Sequence, residues 1–145
     1  MDAGHYLELG RRYRFAASHR LYSPRLSEEE NRRIYGKCAN PYGHGHNYTV
    51  EVRFTGTVDP ETGMIVNLAD LDAFVNERVV EPFDHRSLQD DVAVFRSTVP
   101  TTENLCREIF ERLKSFPKAR LKAVRVEETS NNSFEYAGDG EGKER

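Results

Sequence analysis

An α+β fold with the element order β-β-α-α-β-β is predicted by three features of this 145-residue sequence. Two long stretches of alternating apolar and polar residues lie in the first third, two helical-period apolar stripes bounded by prolines occupy the middle, and two short alternating stretches close the chain. The length suits one folding unit, and neither a linker nor an internal repeat divides it.

From Leu7 to His19 the odd positions Leu7, Leu9, Arg11, Tyr13, Phe15 and Ala17 alternate with mostly polar neighbours, the period of a half-buried strand whose apolar face ends on His19. From His44 to Phe54 the same period puts His44, His46, Tyr48, Val50, Val52 and Phe54 on one face, so here two histidines open the apolar side. Antiparallel pairing of these strands lays the end of the first beside the start of the second and gathers three imidazoles at one edge. The long connection from Arg20 to Gly43 carries a short helix over 27–35, and connections of this length are often functional.

Asp59 to Gly63 reads as a turn, and Asn67 caps a helix whose Leu68, Leu71, Phe74, Val75 and Val79 repeat at helical spacing until Pro82. Thr101 or Thr102 caps a second helix after Pro100, with Leu105, Cys106, Ile109, Phe110 and Leu113 as its buried stripe. Strands over 121–129 and 133–137 follow, separated by Ser130-Asn131-Asn132. A single domain over 1–137 is expected, with 138–145 a loose tail almost free of apolar residues.

A net charge of -3 with scattered basic residues gives no attraction to nucleic acid. No apolar run approaches the roughly 20 residues that span a bilayer, and MDAGHYLELGRRY lacks the apolar core of a secretion signal, so a cytoplasmic protein without membrane partners is expected. Cys38 and Cys106 sit in unlike contexts and do not suggest a disulfide framework.

His44 and His46, two apart on a strand, present both rings from one face, and His19 supplies a third donor. Three histidines leave one tetrahedral position open, as catalytic zinc requires, although imidazole also suits copper and iron. Cys38, six positions before His44 in GKCANPYGHGH, is either a base whose pKa a nearby cation lowers or a fourth ligand closing a structural site. Cys106 on the buried stripe reads as packing. Asp84 and His85 are a proton relay or a solvated turn after the helix. Glu128 shares a face with Val124 and Val126, which directs its carboxylate inward, where paired N–H donors of a ligand would satisfy it; a frayed strand end would instead expose it. Glu127 faces the other way, and His5 has no such company.

Taken together, FAASHRL, GKCANPYGHGHNY, GMIVNLADL, Asp84-His85, PTTENL and Glu128-Thr129 resemble the family of 6-pyruvoyltetrahydropterin and 6-carboxytetrahydropterin synthases over nearly the whole chain. The resemblance implies the tunnelling fold, a four-stranded antiparallel sheet with two helices on one side. It implies zinc on His19, His44 and His46, proton transfer by Cys38, Asp84 and His85, and a pterin held by Glu128 with Thr101, Thr102 and Glu103 completing its pocket. It also implies trimers pairing into hexamers, with Asp84 and His85 reaching a neighbour's metal.

The implied reaction converts 7,8-dihydroneopterin triphosphate to 6-pyruvoyltetrahydropterin with loss of triphosphate, as in tetrahydrobiopterin biosynthesis. The spacing from Cys38 to His44 resembles the animal-type pyruvoyl enzymes. A 6-carboxytetrahydropterin product, or a non-catalytic zinc-stabilised pterin-binding oligomer, is the alternative. Arg20 and Lys37, near the ligands in sequence, are candidates to receive the triphosphate, and Mg2+ is a candidate companion of the phosphates.

Overall fold

The structure, a computed structural model, describes residues 6–139. His5 and residues 140–145 of the expected tail lie outside them. Strand β1 (Tyr6–His19) pairs antiparallel with β2 (His44–Thr57) along its whole length, in a register that sets His19 opposite His44, Ala17 opposite His46 and Phe15 opposite Tyr48. Each inward residue of one strand therefore meets an inward residue of the other, so one face becomes continuously apolar and the opposite face is charged. On that inward face Phe15 and Tyr48 stack at 5.3 Å, and Tyr48, Val50, Val52 and Phe54 are fully buried.

Helix α1 (Glu28–Tyr35) follows a capping box in which Ser27 and Glu30 satisfy each other's backbone N–H groups. A short 3-10 turn, Gly36–Ala39, then carries Cys38 back toward β2. The Asn31 side chain closes this excursion, accepting from Ser23 N–H and donating to the carbonyls of Ser23 and Ser27.

Helix α2 (Leu68–Val75), capped by Asn67, continues through a π turn over Asn76–Val80 into α3 (Glu81–Phe83), so the helical run passes Pro82 instead of ending at it. Proline removes one N–H and leaves the carbonyl of residue 78 without its usual partner. The Arg112 guanidinium takes that carbonyl, Nη1 donating to Arg78 O at 3.2 Å. The i→i+5 turn is the local adjustment that keeps Val75, Val79 and Phe83 all fully buried.

After α3 the chain crosses to the free edge of β1, where β3 (Arg86–Ser87) pairs parallel with Ala17 and Ser18. Helix α4 (Leu88–Asp91), a 3-10 turn at Ala93–Arg96 and helix α5 (Thr102–Leu113) follow. Thr101 caps α5 by accepting from Asn104 N–H at 3.2 Å, and Leu105, Ile109 and Leu113 bury its apolar stripe. Strands β4 (Arg120–Thr129) and β5 (Asn132–Tyr136) complete a sheet of order β3-β1-β2-β4-β5.

The four-stranded antiparallel sheet expected from the resemblance is thus corrected to a five-stranded mixed one, and the two helices to two main helices with three short ones. A two-residue strand has no sequence period, and β3 exists because the left-handed backbone at His85 (φ 60°) turns the chain against the β1 edge. Among the described residues no helix is long and apolar enough to cross a membrane.

Candidate active site

The histidine trio forms where the alternation places it. Nitrogen donors of His19, His44 and His46 lie within 4.8 Å of one another, and Nε2 of His19 and His44 are 3.2 Å apart. A tetrahedral ion with bonds of about 2.0–2.1 Å to nitrogen holds its ligands roughly 3.3 Å apart, so this spacing fits such an ion.

His19 is fully buried, and its Nδ1 donates to the Pro100 carbonyl at 2.8 Å, which leaves the Nε2 lone pair facing the other two rings. His46 Nε2 is buried with no hydrogen-bond partner. An orphaned buried acceptor beside two other imidazoles is the donor set that a divalent cation satisfies.

Burial holds the His19 pKa below the ordinary histidine value despite the Pro100 carbonyl, and burial with the neighbouring His46 lowers that of His44. Both rings therefore favour the neutral, ligating form. Opposite His46 the chain carries Ala17, whose small side chain leaves the ring room beside His19, 5.1 Å away between centroids. The tight approach of the two strand ends depends on Gly43, at φ +68°, where an added Cβ would stand 2.7 Å from the His19 carbonyl oxygen.

Cys38 comes to the same place from the intervening loop, with Sγ 3.8 Å from His44 Nε2, and Leu21 N–H donating to its carbonyl at 2.7 Å anchors the turn. Burial and the Glu128 charge raise the thiol pKa, and only Lys37 opposes them. Cys106 is a separate matter: it is buried, donates to the Val124 carbonyl at 3.3 Å, and is pushed up to about 12 by desolvation.

Glu128 points inward with Val124 and Val126, as the alternation predicts. Its Oε2 lies 3.4 Å from His46 Nε2 and 3.6 Å from His19 Nε2, while Oε1 accepts from the Asn132 amide at 3.1 Å. Burial opposes its charge, but Asn132, the nearby Thr102 hydroxyl and the two imidazoles outweigh it and hold the carboxyl below its usual range. Thr102 is buried, and its hydroxyl makes no hydrogen bond of ordinary geometry. Thr101 is committed to its cap, and Glu103 is exposed one step further along the helix.

Asp84 and His85 do not join this cluster within the chain. Asp84 Oδ1 accepts from Ala16 N–H at 2.9 Å, its Oδ2 is 3.0 Å from His85 Nδ1, and His85 N–H donates to the Ala16 carbonyl at 2.5 Å. The His85 side chain is 83% exposed, and it lines one cavity with His46 but makes no hydrogen bond to Cys38 or the trio among the described residues. Chiefly through the Ala16 N–H, the Asp84 carboxyl is held below its ordinary pKa.

Tyr48 completes the site from below, its hydroxyl 3.3 Å from His19 Nδ1. Two residues after His46 on the same face, it was accessible to a parity argument. Pro100 was not, since a backbone carbonyl 81 residues from its partner leaves no mark on side-chain pattern.

A family model described as 6-pyruvoyl tetrahydropterin synthase matches residues 8–139. The chain belongs to the 6-pyruvoyl tetrahydropterin synthase family. It is 49% identical to the human protein named 6-pyruvoyl tetrahydrobiopterin synthase over 133 residues, which covers 91% of this chain and 92% of that one. A Dictyostelium discoideum protein of the same name is 44% identical over 131 residues, covering 90% of this chain and 96% of the relative. The solved structure of the Caenorhabditis elegans 6-pyruvoyl tetrahydropterin synthase superposes with a TM-score of 0.91 at 42% identity, over 96% of this chain and 100% of that one. Within the synthase family, then, the trio, Cys38 and Glu128 form one cluster in the chain, and the Asp84-His85 pair stands apart.

Proposed function

We propose that this protein is a zinc-dependent lyase that converts 7,8-dihydroneopterin triphosphate to 6-pyruvoyltetrahydropterin and releases triphosphate, in tetrahydrobiopterin synthesis. The observation that carries the reading is the trio: three imidazole nitrogens within 4.8 Å of one another, one of them buried without a hydrogen-bond partner, with a thiol 3.8 Å from a ring nitrogen.

His19, His44 and His46 would hold the zinc, which when bound supplies a Lewis acid that acidifies side-chain hydroxyls and polarises a developing carbonyl. Cys38, whose thiol the cation beside it would bring toward the thiolate against the effect of burial, would take a proton from the substrate side chain. Glu128 accepts from the paired N–H groups of the pterin edge and orients the ring, with Thr101, Thr102 and Glu103 lining the same pocket. The second proton transfer falls to His85, oriented by Asp84. Its exposure and its lack of a hydrogen bond to the trio of its own chain favour service to a neighbouring subunit's site, in a trimer or hexamer.

Incubating the zinc-loaded protein with dihydroneopterin triphosphate and identifying products by mass spectrometry tests the reading. The expected products are 6-pyruvoyltetrahydropterin and triphosphate. A 6-carboxytetrahydropterin product, or unconsumed substrate, refutes it.

A further inference from the structure

Arg20, Arg25 and Arg96 line one cavity of 470 Å3, and the hydroxyl residues Ser97 and Thr98 line it with them. No aspartate or glutamate contributes to its wall, and among the described residues none of the three arginines pairs with a carboxylate. The neighbouring cavities differ. The one holding Lys37 shares Arg20 and also carries Arg32, but it is smaller, 280 Å3, and has Glu28 on its wall, and the one beside Tyr136 carries Glu108, Glu111 and Asp139.

Three guanidinium groups around one space repel each other unless an anion fills it, and their planar N–H forks match phosphate oxygens. Arg20 is already positioned for this. Its guanidinium sits 4.0 Å over the Tyr22 ring, Nε donates to the Ala39 carbonyl at 3.0 Å, and its backbone N–H donates to Gln89 Oε1 at 2.9 Å. The cavity also touches the histidine centre at two residues: Arg20 follows His19 in sequence, and Pro100, on the cavity wall, carries the carbonyl that fixes the His19 ring through a hydrogen bond.

We infer that this cavity is a polyphosphate site that takes the triphosphate tail of the substrate whose pterin side chain meets the trio, an assignment that rests on the function proposed above. It places the tail on Arg20, Arg25 and Arg96, not on Lys37.

The test is calorimetric titration of the zinc-loaded full chain with inorganic tripolyphosphate, and separately with neopterin, which lacks phosphate. Wild type, Arg25→Gln/Arg96→Gln and, as a control on the opposite sheet face, Arg125→Gln are compared. Tripolyphosphate should bind wild type and Arg125→Gln alike, compete with dihydroneopterin triphosphate, and lose about tenfold in affinity per arginine removed, about 100-fold in the double variant. Neopterin affinity should change by less than about twofold, since no phosphate is present to be held. Absent tripolyphosphate binding, unchanged binding in the double variant, or binding that does not compete with the triphosphate substrate each overturns the inference. Loss of turnover with tripolyphosphate binding intact would instead count against the proposed reaction alone.

Discussion

Nδ1 of His19 lies 2.8 Å from the carbonyl oxygen of Pro100, the residue before the cap of α5, and that single bond decides which nitrogen of a fully buried imidazole is free to ligate. It ties the histidine edge of the sheet to the start of the second main helix. The segment before the helix thus orients an imidazole that lies on another element.

Removing a donor and removing the thiol should separate metal binding from chemistry. His46→Ala should weaken zinc affinity more than about 100-fold, beyond what loss of a supporting contact costs. Cys38→Ala should keep full zinc stoichiometry and lose turnover. Chelator competition and metal analysis read both; a Cys38→Ala protein that loses its zinc would make the thiol a structural ligand.

Acid should destabilise the metal-free protein through His19 and His44. The folded pKa values of His19 and His44 are depressed, so their contribution is complete above the unfolded value of about 6.5 and is lost as pH falls through the lower folded values. Thermal midpoints of chelator-treated protein should drop between about pH 7 and pH 5, and less steeply in His44→Gln. A flat profile in wild type would contradict the assignment.

Gly43→Ala should damage the site specifically. The left-handed backbone alone costs about 1–2 kcal/mol for a residue with a side chain, and the new Cβ would also press the His19 carbonyl at 2.7 Å, driving the strand ends apart. Gly63→Ala is the control, since it shares the positive φ but its Cβ would meet nothing within 4 Å. Both should lose stability, and only Gly43→Ala should lose zinc affinity; equal zinc affinities would show that the close approach is unimportant.

Glu128→Ala should collapse pterin affinity, measured with neopterin by fluorescence titration. Loss of a charge-assisted pair of hydrogen bonds predicts a decrease of about 100-fold. Unchanged affinity would remove Glu128 from the pterin pocket and leave it a partner of the imidazoles and Asn132.

Asp72 pins α2 to β1 through both oxygens, accepting from Arg11 Nε at 2.7 Å, Arg11 Nη2 at 2.8 Å and the Tyr13 hydroxyl at 2.7 Å. Asp72→Asn should cost about 1 kcal/mol, the upper end for partly exposed pairs, without touching zinc binding. Chiefly through Arg11 the Asp72 pKa is lowered, so this stability is present above the unfolded carboxylate range and fades as pH falls through the folded value. Urea titrations at neutral and acid pH would reveal it, and equal midpoints for variant and wild type would discount the pair.

The period-two pattern was enough to place His19, His44 and His46 on one edge, because a pleated strand leaves a side chain only two directions and burial selects between them. The same parity turned Glu128 inward, and the stripe of α5 marked Cys106 as packing. The run past Pro82 was not legible, because the Arg112 side chain that takes the Arg78 carbonyl arrives from another helix.

The sequence by itself determined the two paired strands, the helical stripes and the set of groups able to ligate, since each follows from local periodicity and residue chemistry. Only the tertiary structure decided the tautomer of His19, the fifth strand at the β1 edge and the exile of Asp84 and His85 from the trio of their own chain. Those depend on backbone carbonyls and N–H groups meeting across long separations, and a backbone group is the same at every position in the chain.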